Sequence, residues 1–498
     1  MTVLDFERLS QDTSFNTSTT PPSHFPKRRW FEQWRRPKVD VPLIEINEDG
    51  DYREALERAY KQYPDKPYKI QHFPGEIVIV PPHMIDEIKN APESKLSFQQ
   101  ASYDIFVGQH TGVTNHERAV ANILRVGVLR LIDAVYPAIQ DEALRAILSE
   151  LGNDKEWKSV LLFPKSVNFI MAISRLVFVG EPLCRNPEWL KSIVAVTQHA
   201  FGSVPDLWQT HDITRPLAAW QLPSLQSVRA HRENAKKLLT PILQKRLEQL
   251  EDPNFKPPVD LMQVVIDNGK KNGEGRDVDY QLNAIIGTGR AALFTASMTT
   301  FQTLYDLASR PEYIEPLRQE AAELGDAPLN RSNVGKLTKL DSFLRESQRW
   351  NMFMLVSVIR KAMKSFSLSD GTFIPEGAIL GFDIRNAVRN KSTLENPNEF
   401  DGFRFERLRA ENGKEQMFQS VQTANDHLVY GHGTQACPGR FFAAHEVKVL
   451  VARILLHYDI KLKDPRPGRV AITDQVNGIM VQVDPTQEFL IRRRSETA

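Results

Sequence analysis

The sequence predicts a mainly helical protein with a minor β-sheet portion. Apolar residues recur mostly at helical spacing between about residues 140 and 250, and a longer helical pattern covers 278–309. Hydrophobic alternation near 75–80 and within 478–493 indicates short strands. The composition, 41% hydrophobic and 25% charged over 498 residues, is typical of a large, well-packed globular protein.

The N-terminal part is predicted to stand apart from the folded body. Residues 1–41 comprise a polar leader and a proline-stiffened basic hinge at 21–30, and we expect 42–498 to form a single catalytic domain. No window approaches the roughly 20 apolar residues needed to cross a bilayer. The leader carries acidic residues, so it does not resemble a secretory signal either. We therefore expect a chain that is soluble or at most peripheral to a membrane.

The longest predicted helix, 278–309, is stopped by Pro311. At 1.5 Å per residue it would span roughly 45 Å, so it must cross the domain and be mostly buried. Further along, the pattern predicts a helix over 338–350 and a strand-and-turn region over 370–377. A last helix is predicted from near Gly439 through the 450s.

Charge and cysteine content narrow the function classes. The 63 basic and 62 acidic residues are nearly balanced, without the basic excess usual in nucleic-acid-binding proteins. The two cysteines, Cys184 and Cys437, cannot form a disulfide framework or a four-cysteine zinc site, so a reducing compartment is expected. Cys184 has no motif around it and is interpreted as a small buried hydrophobic residue.

The segment 430–443, YGHGTQACPGRFFA, is the most informative part of the chain. Its two glycines before the cysteine allow positive φ, so the loop can turn tightly and its backbone can approach a flat ligand. Cys437 is followed by Pro-Gly and a predicted helix, which puts the sulfur near a helix N-terminus that favours the thiolate. Thiolate is the ligand with which haem iron activates oxygen. The alternative is a structural cysteine buried in a glycine-rich turn.

This segment resembles the haem-binding loop of the cytochrome P450 family. The matching positions are an aromatic residue, two glycines, the cysteine, the next glycine and an alanine, here Tyr430, Gly431, Gly433, Cys437, Gly439 and Ala443. The resemblance implies the cytochrome P450 fold, with a long central helix over the haem, Cys437 as the iron ligand and haem b as the cofactor. It also implies that Tyr430 and Gly431 are cofactor-binding residues, with Tyr430 in place of the usual Phe. Gln435 stands where Arg or His usually reaches a haem propionate, so it can donate a hydrogen bond but carries no charge.

Two further groups match the family. Glu346 and Arg349 share a helix face, and Phe-Arg404-Phe follows them. By itself the pair could be a solvated i,i+3 pair, but the resemblance implies a buried charge network of Glu346, Arg349 and Arg404. The resemblance also implies that Arg360 binds a haem propionate, although a plain surface arginine remains an alternative for this residue.

On the central helix, segment 291–297, AALFTAS, matches the oxygen-activation segment of the family in part. The resemblance makes Thr295 the hydroxyl that relays protons. Phe294 stands where the family usually has an acid, which removes a carboxylate from the proton route. The alternative is a Thr295 that only bonds its own helix backbone. The predicted substrate pocket is lined by Ala291, Phe294, Met354 and Leu355.

The resemblance implies a haem-thiolate monooxygenase, and segments 297–300 and 440–443 look most like fungal secondary-metabolite members that oxidise terpenoid or indole-derived compounds. Electrons would come from a separate NADPH–cytochrome P450 reductase, since no Gly-x-Gly-x-x-Gly follows a strand. Arg440 and Lys448 are candidates for its docking surface. We expect a monomer that acts on a hydrophobic small molecule. Its expected place is the cytoplasmic side, peripheral to the endoplasmic reticulum membrane, without an anchor in this chain.

Three other hypotheses remain open at this stage. The same haem protein could catalyse ring formation, rearrangement or desaturation without net oxygen insertion, which the mass of the product would reveal. A non-catalytic haem-binding or sensor protein would bind haem through Cys437 but take up no electrons from a reductase. A haem-free helical scaffold would have no visible spectrum at all.

Overall fold

The structure is a computed structural model. It describes residues 38–46, 52–72, 75–114, 118–269, 273–325, 330–388, 394–411, 413–414, 416–465, 476–477, 479–481 and 483–495. The predicted leader and the basic hinge fall within 1–37 and lie outside the described residues, as do positions 478 and 482 of the predicted C-terminal strands.

Helices make up most of the described chain, which confirms the predicted fold class. They are α1 Tyr52–Gln62, α2 Ile85–Ile88, α3 Phe98–Ile105, α4 Gly108–Thr111, α5 Arg118–Leu151, α6 Leu162–Val179, α7 Pro187–Gly202, α8 Val204–Gln209, α9 Arg215–Gln221, α10 Pro223–Gln249, α11 Leu261–Gly269, α12 Val278–Ser309, α13 Ile314–Ala322, α14 Arg331–Gly335, α15 Thr338–Trp350, α16 Ile384–Val388, α17 Arg404–Arg409 and α18 Arg440–His457.

The strands are short. They are β1 Leu43–Ile44, β2 Tyr68–His72, β3 Gly75–Ile79, β4 Leu96–Ser97, β5 Lys158–Leu161, β6 Val356–Ala362, β7 Phe366–Ser367, β8 Phe373–Ile374, β9 Ile379–Asp383, β10 Tyr458–Leu462, β11 Val476–Asn477, β12 Met480–Val481 and β13 Glu488–Arg493. The predicted strands near 75–80, 370–377 and 478–493 correspond to β3, β8, and β12 with β13.

The central helix α12 has the bounds that the sequence predicted. It begins where the Asp277 side chain caps it by accepting a hydrogen bond from the Tyr280 amide at 2.7 Å, and it ends before Pro311. Of its 32 residues 20 are buried, as expected for a helix that crosses the domain. The least buried part of its middle is 291–295, where Ala291 is exposed and the next four residues are half-buried. Accessible surface in the middle of a buried helix indicates an internal cavity beside 291–295.

Six strands form the larger sheet, in the order β1-β2-β3-β9-β6-β4. Its β6–β9 pairing is antiparallel and shifts register between Ser357 and Arg360. Val358, between them, has φ of 50°, a left-handed conformation that is rare for a β-branched residue. This bulge turns the strand just before Arg360, so it decides the direction in which that side chain leaves the sheet.

The main hydrophobic core lies around the central helix. Phe301 of α12 makes edge-to-face contacts with Phe163 of α6 and Phe489 of β13, with ring centroids 5.7 and 5.8 Å apart. Buried residues of α15 and α18 belong to the same cluster. The helix that follows the cysteine loop is therefore packed into the same core as the helix that faces the cavity.

One described helix, α6, is long and apolar enough by length and composition to cross a membrane. The sequence predicts no window near the roughly 20 apolar residues that cross a bilayer, whereas α6 is an apolar helix of 18 residues. Because 67% of the helix is buried inside the protein, it also has the features of an ordinary core helix.

Candidate active site

The cysteine loop closes on itself through its own backbone. The Cys437 amide donates to the Tyr430 carbonyl at 2.8 Å, and the Ala436 amide donates to the Gly433 carbonyl at 3.1 Å. Gly431 and Gly433 both have positive φ, 69° and 77°, as the sequence predicted for a tight turn. The helix α18 begins at Arg440, three residues after the cysteine. The sulfur is thereby fixed at the start of a helix.

Gly433 also allows the loop to touch the end of helix α2. A Cβ at this position would lie 2.0 Å from the Lys89 carbonyl oxygen, to which the Thr434 amide donates at 3.2 Å. At Gly431 a Cβ would find its first neighbour only at 3.8 Å. Both positions therefore require a residue that tolerates positive φ, but only position 433 also lacks room for a side chain.

We expect Gly431→Ala to destabilise the protein by about 1–2 kcal/mol, because it adds only the left-handed backbone penalty. Gly433→Ala should be clearly worse, because its methyl group must push the loop away from Lys89. Urea unfolding of both variants measures the difference. Equal losses would show that the approach to Lys89 is not a constraint on the loop.

Cys437 is exposed. It is nevertheless surrounded by protein, and this burial raises the pKa of its thiol. Together these observations put the sulfur on the wall of an internal cavity. Hydrogen bonds from the Gly439 and Arg440 amides oppose the rise in pKa, so the predicted helix N-terminus effect is present but smaller than the effect of burial. An iron bound to the sulfur would remove the proton outright.

The other cysteine is different in kind. Cys184 is 1% exposed and belongs to the main hydrophobic core, and burial raises the pKa of its thiol to about 11. This agrees with its interpretation as a small buried hydrophobic residue.

Tyr430 is anchored at its hydroxyl, which accepts a hydrogen bond from the Gln348 side-chain amide at 2.7 Å. Burial raises the pKa of Tyr430 well above its ordinary value, so it is a neutral phenol. The loop therefore starts from a ring that helix α15 holds in place, and Gly431 follows it directly.

Arg360 is buried and lies against the cysteine loop, which rules out the alternative of a plain surface arginine. Its guanidinium donates to the Ile359 carbonyl at 2.9 Å and to the His432 carbonyl at 3.4 Å. The Nε is buried and has no hydrogen-bond partner in the described part of the chain. Burial lowers the pKa of Arg360 to about 10, so the group is still charged at neutral pH. A buried cation with an unused donor is suited to an acidic ligand group such as a propionate.

The Gln435 side chain is bound to backbone and is not free to bind a propionate. Its side-chain oxygen accepts from the Phe98 amide at 2.8 Å, and its nitrogen donates to the Leu96 carbonyl at 2.8 Å. With both ends of the amide bound to backbone, Gln435 would have to release one contact to reach a propionate. In the structure it joins the cysteine loop to the segment around β4.

Glu346, Arg349 and Arg404 come together as a buried network. Two Arg349 nitrogens donate to the two Glu346 carboxylate oxygens at 2.8 and 2.7 Å, and Arg404 Nε lies 3.7 Å from the same carboxylate. Both arginines also donate to the Glu399 carbonyl, at 3.1 and 2.9 Å. All three side chains are at most 7% exposed. The alternative of a solvated pair does not apply.

Thr295 faces the cavity region and binds its own helix. Its hydroxyl donates to the Ala291 carbonyl at 2.9 Å, and this bond lies at an accessible position. Phe294 beside it is half-buried and packs against the main core. Both the relay role and the plain helix role are compatible with this geometry, because a hydroxyl that donates backward can still accept a hydrogen bond.

Of the predicted pocket residues, Ala291 and Phe294 lie in the accessible segment of α12. Met354 is half-buried between two hydrophobic clusters. Leu355 is only 2% exposed and belongs to the cluster under the larger sheet, so it presents almost no surface to a cavity.

The two residues suggested for reductase docking are not free surface cations. Arg440 is half-buried and donates to the Cys437 carbonyl at 2.6 Å. Lys448 is 11% exposed and pairs with Asp341 at 2.9 Å, so the prediction was wrong for this residue. Sequence position near the cysteine does not reveal the direction in which a helix residue points.

No pattern in the sequence indicated that Asp341 accepts hydrogen bonds from several distant side chains. Its carboxylate receives hydrogen bonds from Lys448, from Arg409 at 3.0 Å and from the Ser420 hydroxyl at 2.7 Å. Burial alone would raise the pKa of Asp341, but Lys448 and Ser420 outweigh it and hold the pKa below its ordinary value. Its partners lie 68 to 107 residues further along the chain, so no local spacing could have shown this role.

Comparison with known proteins decides the family. A sequence profile described as Cytochrome P450 matches residues 58–487. The chain belongs to the cytochrome P450 family. It is 37% identical to the cytochrome P450 monooxygenase BOA4 of Botryotinia fuckeliana (strain B05.10), over 93% of each protein. It is 31% identical to the cytochrome P450 monooxygenase olcJ of Penicillium canescens, over 89% of the chain and 84% of that relative.

The fold agrees with this assignment. The solved structure of retinoic acid-bound cyanobacterial CYP120A1 is similar, with a TM-score of 0.69 over 92% of this chain and 100% of that one, at 15% sequence identity. The predicted cytochrome P450 fold is therefore confirmed, as is the resemblance to fungal secondary-metabolite members. The protein is a cytochrome P450 monooxygenase, an oxidoreductase whose family uses haem iron.

The residues of this cytochrome P450 fit a haem. The Cys437 sulfur is accessible from inside the protein, and Arg360 keeps a buried, unused donor beside the loop. The small residues Ala291 and Ala292 leave the central helix open where a flat ring would pass. Cys437 would bind the iron, Arg360 would hold a propionate, and Ala291 and Ala292 would leave room for the ring.

Proposed function

We propose that this cytochrome P450 uses haem b, O2 and electrons from NADPH–cytochrome P450 reductase to insert one oxygen atom into a hydrophobic small molecule. The Cys437 sulfur, accessible although the residue is surrounded by protein and fixed at the start of a helix, is the observation that carries this proposal. The likeness to fungal relatives supports a secondary metabolite as the substrate. The finer proposal of a terpenoid or indole-derived compound rests on the resemblance of segments 297–300 and 440–443. The protein would act as a monomer, with residues 42–498 as one domain, peripheral to the cytoplasmic side of the endoplasmic reticulum membrane.

The first test is the reduced, carbon monoxide-bound difference spectrum of the purified protein. Thiolate-ligated haem gives a Soret band shifted far to the red, because the sulfur donates electron density to the iron. Reconstitution with the reductase, NADPH and candidate terpenoid or indole substrates should then give products that are heavier by one oxygen atom. A haem-loaded sample without the shifted band would refute the proposal.

Haem supplies the oxygen chemistry, and the chain supplies its orientation and protons. Cys437 would bind the iron, and Arg360 would hold a propionate through a charge-assisted hydrogen bond. Gln435 would contribute by keeping the loop against Phe98 rather than by binding the propionate. The network of Glu346, Arg349 and Arg404 would support the loop side of the core.

We expect Arg360→Gln to release haem faster, by about 10- to 100-fold, because a hydrogen bond between charged groups is replaced by a neutral one. Transfer of haem to excess apomyoglobin measures the rate. Lys364→Gln is the matched control, because Lys364 is exposed just beyond the same strand and should leave the rate unchanged. An Arg360 variant with wild-type release would show that the propionate is bound elsewhere.

Thr295 is proposed to hold and pass a proton at its hydroxyl oxygen. We expect Thr295→Val to lower product formation by about 100-fold or more, while NADPH consumption continues. Thr295→Ser should restore most of the product. Thr299→Val is the control, because the Thr299 hydroxyl lies one turn further along α12 and makes the same backward bond, to the Thr295 carbonyl at 2.9 Å. Equal effects of both valine variants would show that Thr295 has no relay role and is an ordinary helix threonine.

A second candidate is a reaction without net oxygen insertion: ring formation, rearrangement or desaturation. Phe294 favours it, because a half-buried phenyl ring stands beside Thr295 where the family usually has an acid. Product mass separates the two reactions, since desaturation loses two hydrogen atoms and rearrangement leaves the mass unchanged. Phe294→Asp should shift products toward oxygen insertion if the missing acid redirects the chemistry.

A further inference from the structure

Arg290 is a buried cation in the central helix for which the described residues provide no counterion. The residue is 7% exposed, and its Nε is sealed from solvent without a hydrogen-bond acceptor. Within the described part of the chain, no hydrogen bond or ion pair reaches its guanidinium. A charge that is removed from water and left unpaired is strongly destabilising. Such a residue therefore calls for a negatively charged partner that the described residues do not provide.

Other buried arginines of the protein are held by hydrogen bonds. Arg246 donates to both carboxylate oxygens of Asp260, at 3.1 and 2.9 Å. Arg345 and Arg360 have no carboxylate at hydrogen-bond distance among the described residues, but they donate to backbone carbonyls, at 2.8 and 2.9 Å. Arg290 differs from all three, because within the described part of the chain no hydrogen bond reaches its guanidinium.

The position of Arg290 on α12 is next to the accessible segment 291–295. Asp279 and Asn283 lie on the same helix face, and both contact helix α10: Lys236 donates to Asp279 at 2.5 Å, and Arg232 donates to Asn283 at 2.6 Å. Seven residues after Asn283, Arg290 continues that face, and Phe294 follows one turn later. Arg290 therefore lies beneath α10 at the edge of the accessible segment that begins at Ala291.

The charges nearby do not neutralise it. The Asp279 carboxylate already forms ion pairs with two other cations. Its oxygens lie 2.5 Å from Lys236 Nζ and 3.9 Å from Arg232 Nη2. Burial and the positive charge of Arg232 lower the pKa of Arg290 to about 10, which still leaves it protonated at neutral pH. This part of the cavity wall therefore carries an excess positive charge among apolar groups.

We propose that Arg290 binds a carboxylate group of the substrate. This inference rests on the proposed function, because it assigns a chemical class to the molecule that the same cavity accepts: a hydrophobic compound with one carboxylate. A single guanidinium presents a planar pair of N–H donors that matches the two oxygens of a carboxylate. One negative charge would also balance the one unpaired positive charge.

The test uses two matched pairs of probes, dodecanoate with dodecanamide and indole-3-acetate with indole-3-acetamide. Their binding to the haem-loaded protein is measured by isothermal titration calorimetry, so no turnover is needed. We expect at least one acid to bind about 10- to 100-fold more tightly than its amide. Arg290→Met should abolish that preference, and Arg290→Lys should keep part of it. Lys237→Met, which removes an exposed charge from the outer face of α10, should leave it unchanged.

Thermal unfolding in the absence of probes gives a second readout. Arg290→Met replaces an unpaired buried charge with an apolar side chain, so its Tm should equal or exceed that of the wild type. A lower Tm would mean that Arg290 stabilises the fold, and it would overturn the inference. So would a wild-type protein that prefers neither acid, or an Arg290→Met variant that keeps the preference. The reduced, carbon monoxide-bound spectrum of the same samples reports separately on the proposed function.

Discussion

Replacing Cys437 with serine is expected to remove the red-shifted Soret band completely and to abolish oxygen insertion. The serine hydroxyl has nearly the same shape, but it does not supply the thiolate electron density that favours O–O cleavage. The loop should survive the change, because the hydrogen bonds that close it, from Cys437 to Tyr430 and from Ala436 to Gly433, join backbone atoms. The measurement is the reduced, carbon monoxide-bound spectrum together with product formation.

Cys184→Ser is the matched control. Cys184 lies in the main core, so its replacement can cost some stability but should leave the position of the Soret band unchanged. If Cys437→Ser retained the shifted band while Cys184→Ser lost it, the assignment of the iron ligand would be wrong.

Glu346→Gln should have the largest effect on stability. The change keeps the size of the side chain but leaves Arg349 and Arg404 buried without a negative charge. Breaking a buried ion pair in this way costs about 3–5 kcal/mol, because the remaining charges are removed from water without compensation. Urea unfolding of the haem-loaded protein gives the free energy, and haem content of the purified variant should fall with it.

An exposed pair provides the comparison. Glu411 and Lys414 are also three residues apart and lie 2.6 Å from each other, but they are 53% and 38% exposed. Glu411→Gln should therefore change stability very little. Similar losses in the two variants would mean that burial does not decide the importance of such a pair.

Local features of the sequence predicted the parts of the site that depend on neighbouring residues. The central helix has its capping aspartate and its terminating proline within the chain segment itself, so its bounds could be predicted. The loop around Cys437 could be predicted for the same reason, because its glycines and the helix that follows are adjacent in sequence.

Features that depend on distant partners could not be predicted. The Gln435 amide meets backbone that lies 337 residues earlier, and nothing in the loop motif indicates that contact. Lys448 points toward Asp341 because of how α15 and α18 pack, which a short motif does not encode. Arg290 is part of no motif in the sequence. Only the structure shows that it is buried without a counterion among the described residues.

The contact between Gln435 and the Phe98 amide has a consequence for biosynthesis. A ribosome that adds about 5–20 residues per second needs roughly 17–67 s to proceed from one partner to the other. During that interval the β4 segment exists without the loop that completes it. The pocket can therefore close only late in translation, and capture of haem must follow nearly complete synthesis of the chain. Ribosome-bound chains that end before Gln435 should therefore lack this contact and bind no haem through Cys437.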